Sequence, residues 1–226
     1  MLISNFLSEA GLTVIYGKPG AFQRHVADEI AFSAASREDL FNDPSLAVSR
    51  SGEVVVLSDG PGAVAGFHDR AIAWRVARKI PVGQRLALTA IDVRELVRGG
   101  DVAKLLVADL KARGSQPVLV VSTLCASDPT GFLGHRGQSE FHVAEAVREA
   151  FGCGMLLAGH TGPMGWPNDL AKKCDALWRC EDIGQDRLKL SQGPNVLFLK
   201  GALASRFDAA HGLSATLVFE TDRETV

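Results

Sequence analysis

Gly17, Lys18, Gly20, Gln23 and Arg24 fall within a single short stretch, GLTVIYGKPGAFQRHV from Gly11 to Val26, where an apolar run meets a glycine-marked turn and a helical pattern. Glycines and cations at a strand-to-helix junction are the materials of a phosphate-binding loop, in which backbone N–H groups approach the anion and a lysine reaches its outer oxygens. Against the pattern G-x-x-x-x-G-K-[ST], Gly17 fills the first position. Phe22 stands at the last glycine, Gln23 at the lysine and Arg24 at the magnesium-binding hydroxyl. The spacing is that of the loop, and the groups that would do its chemistry have been replaced.

Other candidate groups stand at the ends of apolar runs. Asp59 lies in Ser58-Asp59-Gly60-Pro61-Gly62 after EVVVL, Ser122 ends PVLVVS, and His160 follows MLLAG. Ser122 as a nucleophile requires a positioned base, and no G-x-S-x-G signature accompanies it. Asp128, His135 and His142 have no metal-ligand spacing, and Cys125, Cys153, Cys174 and Cys180 form no C-x-x-C pair. Plain structural readings stand beside the chemical ones. Gly17, Pro19 and Gly20 suit an ordinary turn, Ser122 a small strand-end residue, and His160 a hydrogen-bonded structural histidine. Lys18 and Arg24 suit either an anion at the helix start or a pair of exposed cations.

The elements that must position these groups follow from periodicity. LTVIY (Leu12 to Tyr16), EVVVL (Glu53 to Leu57), PVLVVSTL (Pro117 to Leu124) and Met155 to Ala158 are apolar on both faces, as strands of a parallel sheet covered by helices are. Helical spacing appears over Gln23 to Ala35, Gly66 to Lys79, Asp101 to Lys111 and Ser139 to Phe151. In the second of these, Phe67, Ile72, Trp74 and Val76 are assigned to the core and Arg70, Arg75, Arg78 and Lys79 to solvent. Shorter strands are expected at Leu86 to Leu88, Asp175 to Cys180, Arg187 to Ser191, Asn195 to Lys200 and Leu213 to Glu220. Alternation of strand and helix predicts an α/β fold with a mostly parallel central sheet flanked by helices, and antiparallel strands toward the C-terminus.

The chain has 226 residues, 46% of them hydrophobic, which suits one domain over 1–226 with a single large core. A formal net charge of -2 with 22% charged residues argues against a strongly basic nucleic-acid binder, so any DNA contact must come from a local patch. The cysteines read as buried thiols in a reducing compartment. No basic leader precedes the first strand and no run of about 18 apolar residues occurs, so the expected location is the cytoplasm, away from membranes.

Four segments in order, GKPGAFQRH, VVVLSDGPGAVAGFHDRAIAW, DVAKLLVADLKARGSQPVLVVSTL and GMLLAGHTGP, resemble RecA-like ATPases of the RepA type, the hexameric replicative helicases and their relatives. The resemblance spans Gly11 to Arg179. It implies a RecA-like core in which the second segment carries a catalytic glutamate, the third a magnesium-holding aspartate, and the fourth a His-His-x-Gly-Lys sensor. Here the glutamate position falls at Gly62 with Asp59 nearby, the aspartate is Ser122, and the sensor keeps His160, Thr161 and Gly162 between Gly159 and Pro163. MGWPN at Met164 to Asn168 carries no arginine where the family reaches a neighbouring subunit. Phosphoryl transfer rests on lysine, metal and arginine, all missing from their places. The expectation is therefore a non-catalytic pseudo-ATPase used for binding or assembly in DNA replication or recombination, with no cofactor. Gly17, Lys18, Gly20, Gln23, Arg24, Asp59, Ser122 and His160 are its nucleotide- or anion-binding positions. The resemblance also implies a protein partner or self-association as a ring or dimer, and nucleic-acid contact through loops Ser127 to Gly137 and Thr161 to Asn168. Two alternatives stand. One is an ATP- and magnesium-dependent helicase-like enzyme using Lys18 or Arg24 for phosphates and Asp59 or Asp128 for metal. The other is a single-strand DNA-binding protein, which the mild acidity and few aromatics disfavour.

Overall fold

The computed structural model describes residues 1–18, 20–58, 61–81, 83–92, 101–123, 135–160, 174–208 and 212–222. Four runs of Val, Leu and Ile become the inner parallel strands, β1 (Leu12–Gly17), β2 (Glu53–Ser58), β4 (Pro117–Ser122) and β5 (Gly154–His160). Successive side chains point to opposite faces of a strand. Val54 and Val56 of β2, Leu119 and Val121 of β4 and Leu156 and Ala158 of β5 therefore enter one core, while Val55, Leu57, Val120, Met155 and Leu157 enter another. The strands are apolar on both faces because both faces are covered.

With β3 (Leu88–Asp92), β6 (Ala176–Gly184), β7 (Arg187–Gln192), β8 (Asn195–Asp208) and β9 (Gly212–Thr221), they form a mixed nine-stranded sheet. Its order is β3-β2-β4-β5-β1-β6-β7-β8-β9. Pairing is parallel from β3 through β6 and antiparallel from β6 through β9. The α/β class and the parallel-then-antiparallel arrangement expected from the sequence are both present.

Helices α1 (Gln23–Ser36) and α2 (Pro61–Ala77) serve the first core, and α3 (Val102–Ala112) and α4 (His135–Phe151) the second. Residues ahead of β1 join the first core as well. Leu2, Ile3, Phe6 and Leu7 are buried, and the Phe6 ring stacks on Trp178 of β6 with centroids 4.5 Å apart.

Several boundaries and faces differ from the sequence reading. α2 begins at Pro61, five residues before Gly66, because proline is tolerated in a first helical turn and Pro61-Gly62 is helix rather than turn. β3 lies at Leu88–Asp92, not Leu86 to Leu88, since Leu88 through Asp92 are the residues in register with Val54 through Ser58. α4 starts at His135, so His135 to Gly137 of the expected loop are helical. β8 runs eight residues past Lys200, because its ladder with β9 overrides the weak strand preference of Gly201, Ala202 and Ala204. On α2, Val76 is exposed and Ile72 only half-buried, and the side chains of Arg70 and of Arg78, the residue after its end, are turned in against acids of α1. Cys153 and Cys180 are buried as expected, while Cys174 is half-buried.

Candidate functional site

The parallel strands β2, β4, β5 and β1 are consecutive neighbours, so their carboxyl ends share one edge of the sheet. That edge is where open α/β sheets bind ligands. Gly17 closes β1 and His160 closes β5, and the two are direct Cα partners. Ser122 closes β4 but stands opposite Leu57 and Leu157, deeper in the sheet, and is buried. Three of the positions singled out by sequence are therefore brought to adjacent strand ends. Asp59, Thr161 to Asn168 and residues 127–134 lie outside the described residues.

At the turn after β1 the Gln23 side chain is folded inward. Gln23 is 1% exposed and donates from Nε2 to the Lys18 carbonyl at 2.8 Å. The same carbonyl accepts from the Ala21 N–H at 3.1 Å. A Cβ placed on Gly17 would collide with the Cys180 carbonyl and stand 2.7 Å from Gln23 Nε2. Glycine is thus required at 17 by the close passage of β6 and by Gln23, without any phosphate. Gly20 turns the chain with φ +89°, and Phe22 starts α1 at φ 59°, a left-handed conformation that disfavours a side chain. The backbone at 22 keeps a shape suited to glycine while carrying a half-buried phenyl ring, its edge set against His25 with centroids 5.9 Å apart. The Cys180 thiol donates to the Ala21 carbonyl at 2.8 Å, and burial pushes it up to about 12. Lys18 is exposed.

Behind the turn lies a charged cluster. Arg24, His25 and Asp28 are spaced to share one face of α1. The buried Asp28 carboxylate accepts from Arg70 Nε of α2 at 2.6 Å. The next residue, Glu29, is equally buried and accepts from Arg78 Nη2 at 2.5 Å, while Arg78 also donates to the Phe219 carbonyl of β9 at 2.7 Å. Burial raises the pKa of both acids against the pull of their arginines. Burial lowers that of His25, Asp28 opposing and Arg70 and Arg24 assisting, and it lowers Arg24 with Arg70 adding to the effect. Arg24 Nε and Arg70 Nη2 are buried without a hydrogen-bond partner.

The sequence reading left Arg24 as an anion-binding or exposed cation at the helix start, put Arg70 in solvent, and passed over His25, Asp28 and Glu29. The signal was the acid pair inside VADEIAF, where a helix otherwise apolar on that side puts two carboxylates among core residues. Such acids are found buried when paired. The unpartnered donors grouped here, Arg24 Nε and Arg70 Nη2, are guanidinium N–H groups, which suit an anion. Among the described residues, no three His, Cys, Asp or Glu side chains gather to hold a metal, and no helix is long and apolar enough to cross a membrane. No family model matches this chain, and no curated protein does.

Proposed function

We propose that the chain is a RecA-like pseudo-ATPase, a non-catalytic module that binds or assembles with partners in DNA replication or recombination. The observation that carries the reading is Gln23. At the position where a lysine would reach toward phosphate, a buried amide reaches back and bonds the carbonyl of Lys18. Loss of such a preorganised charged donor typically costs about 10²–10³ in rate. The left-handed φ of Phe22 supports descent from a loop with glycine there, and the shared edge of Gly17, Ser122 and His160 supports a common ancestral site.

The test is ATP hydrolysis with magnesium by purified protein, alongside Lys18→Ala and Arg24→Ala. The expected result is no turnover above the variants. Turnover at ordinary ATPase rates in the unaltered chain, lost in either variant, would refute the reading. Sedimentation of the protein alone and with a replicative ATPase reads the assembly half of the proposal. A chain that stays monomeric and unbound in both samples removes it.

A further inference from the structure

Arg24 Nε and Arg70 Nη2 are buried without a hydrogen-bond partner, and so is Asp28 Oδ1 in the same cluster. Arg24 Nε has no partner at all, and Arg70 gives its Nε to Asp28 while its Nη2 stays unpaired. Leaving a buried guanidinium N–H without an acceptor is costly, and native structures satisfy nearly all such groups. The pair belongs to one neighbourhood, since Arg70 bonds Asp28, Arg24 stands one helical turn before Asp28 on α1, and Arg70 disfavours the charge of Arg24. With His25 held neutral by burial, two cations here face one carboxylate. Two unpartnered donors thus face one unpartnered acceptor, Asp28 Oδ1, and the cluster is one negative charge and one acceptor short.

We propose that Arg24 and Arg70 bind a phosphate group without a metal ion, taken either as free phosphate or as the terminal phosphate of a mononucleotide. Guanidinium is the side chain best matched to a tetrahedral oxyanion, presenting parallel N–H donors to two of its oxygens. Arg24 is half-exposed on the carboxyl-edge side of α1, which gives the anion access, and Arg70 is anchored by Asp28 and so is preorganised. Asp28 both orients Arg70 and limits affinity, because its carboxylate repels the ligand. The inference stands on these side chains and names a ligand for the same edge as the pseudo-ATPase reading. It predicts binding without hydrolysis.

The experiment is calorimetric titration and thermal unfolding of the full chain with sodium phosphate, AMP and ADP, with EDTA present and ionic strength held constant with chloride. Phosphate and at least one nucleotide are expected to raise the unfolding temperature. Phosphate alone identifies free phosphate as the source, and a stronger effect of AMP or ADP identifies the nucleotide. Arg24→Gln is expected to weaken binding at least tenfold while leaving the ligand-free unfolding temperature unchanged or higher, since it removes an unpartnered cation beside Arg70. A merely structural arginine would lower it. Arg70→Lys, which keeps the charge beside Asp28 but loses the fork, is expected to weaken binding as well. Equal shifts in the unaltered protein and Arg24→Gln, or no response to any of the three ligands, would each overturn the proposal. ATP hydrolysis bears on the pseudo-ATPase reading alone, and failure to bind phosphate leaves that reading standing.

Discussion

Replacing Arg78 by methionine would strand a carboxylate in the core. Arg78 and Glu29 side chains are 8% and 0% exposed, and Arg78 also holds the Phe219 carbonyl, so one substitution removes a charge partner and a donor. Glu29 would respond by taking up a proton. Keeping a carboxyl of ordinary pKa 4.5 neutral at about pH 7 costs about 3.4 kcal/mol, at about 1.36 kcal/mol per unit. The orphaned carbonyl adds about 1 kcal/mol. A loss of up to about 4 kcal/mol at about pH 7 follows, a ceiling because burial already raises the Glu29 pKa in the unaltered protein, against about 3–5 kcal/mol for broken buried pairs. At about pH 5 the protonation cost falls to about 0.7 kcal/mol and the total to about 2 kcal/mol. Urea unfolding at both pH values reads this directly, with a midpoint shift of up to about 1.3 M at the higher pH for a slope of about 3 kcal/mol/M. The double variant Glu29→Leu with Arg78→Met should recover most of the loss and lose its pH dependence. A loss under about 1 kcal/mol at about pH 7, or an equal loss at both pH values, refutes the reasoning.

Gly17→Ala should destabilise by about 3 kcal/mol or more in urea unfolding, because the obstructing Cys180 carbonyl is backbone and cannot swing aside. A neutral result would mean that β6 does not pass so close. Cys153 and Cys180, pushed up to about 11 and about 12, should resist alkylation in the native protein and react in urea, as peptide mapping would show. Their folded pKa values exceed that of an unfolded thiol, so their stabilising contribution is full below about pH 8.5 and declines as pH rises toward the folded values. His25 carries the opposite sign. Its folded pKa is depressed below 6.5, so the unfolded chain takes the proton first and stability falls on acidification through about pH 6.5. His25→Asn should flatten the unfolding midpoint over that interval.

The inner strands were legible because each is a short run of β-branched and aliphatic residues with no polar interruption. A strand covered on both faces has no other way to be written. β8 beyond Lys200 was not legible, since Gly201, Ala202 and Ala204 have little preference of their own and are held by β9. The faces of α2 were misread for a related reason. Arg70 and Arg78 look like solvated cations until the acids 42 and 49 residues earlier are folded against them. At the candidate site the sequence located the strand ends that carry Gly17, Ser122 and His160. It did not reveal that Gln23 turns inward, because an amide bonding a carbonyl five residues back leaves no mark in composition or spacing.

Asp28 and Glu29 are consecutive on α1, yet their arginines are eight residues apart, Arg70 within α2 and Arg78 just past its end, where its N–H still bonds the Trp74 carbonyl. Eight residues of helix span about 12 Å, so the two ion pairs engage α2 at well-separated points, like two pins of unequal reach. Sliding α2 along its axis by one turn, about 5.4 Å, would unseat both pins together. The relative axial position of the two helices is indexed rather than merely packed. Because Arg78 also grips β9, the indexing extends from the first helix to the last strand of the sheet. The carboxyl edge therefore carries α1 at a fixed setting, with the travel of that helix arrested at its own charges.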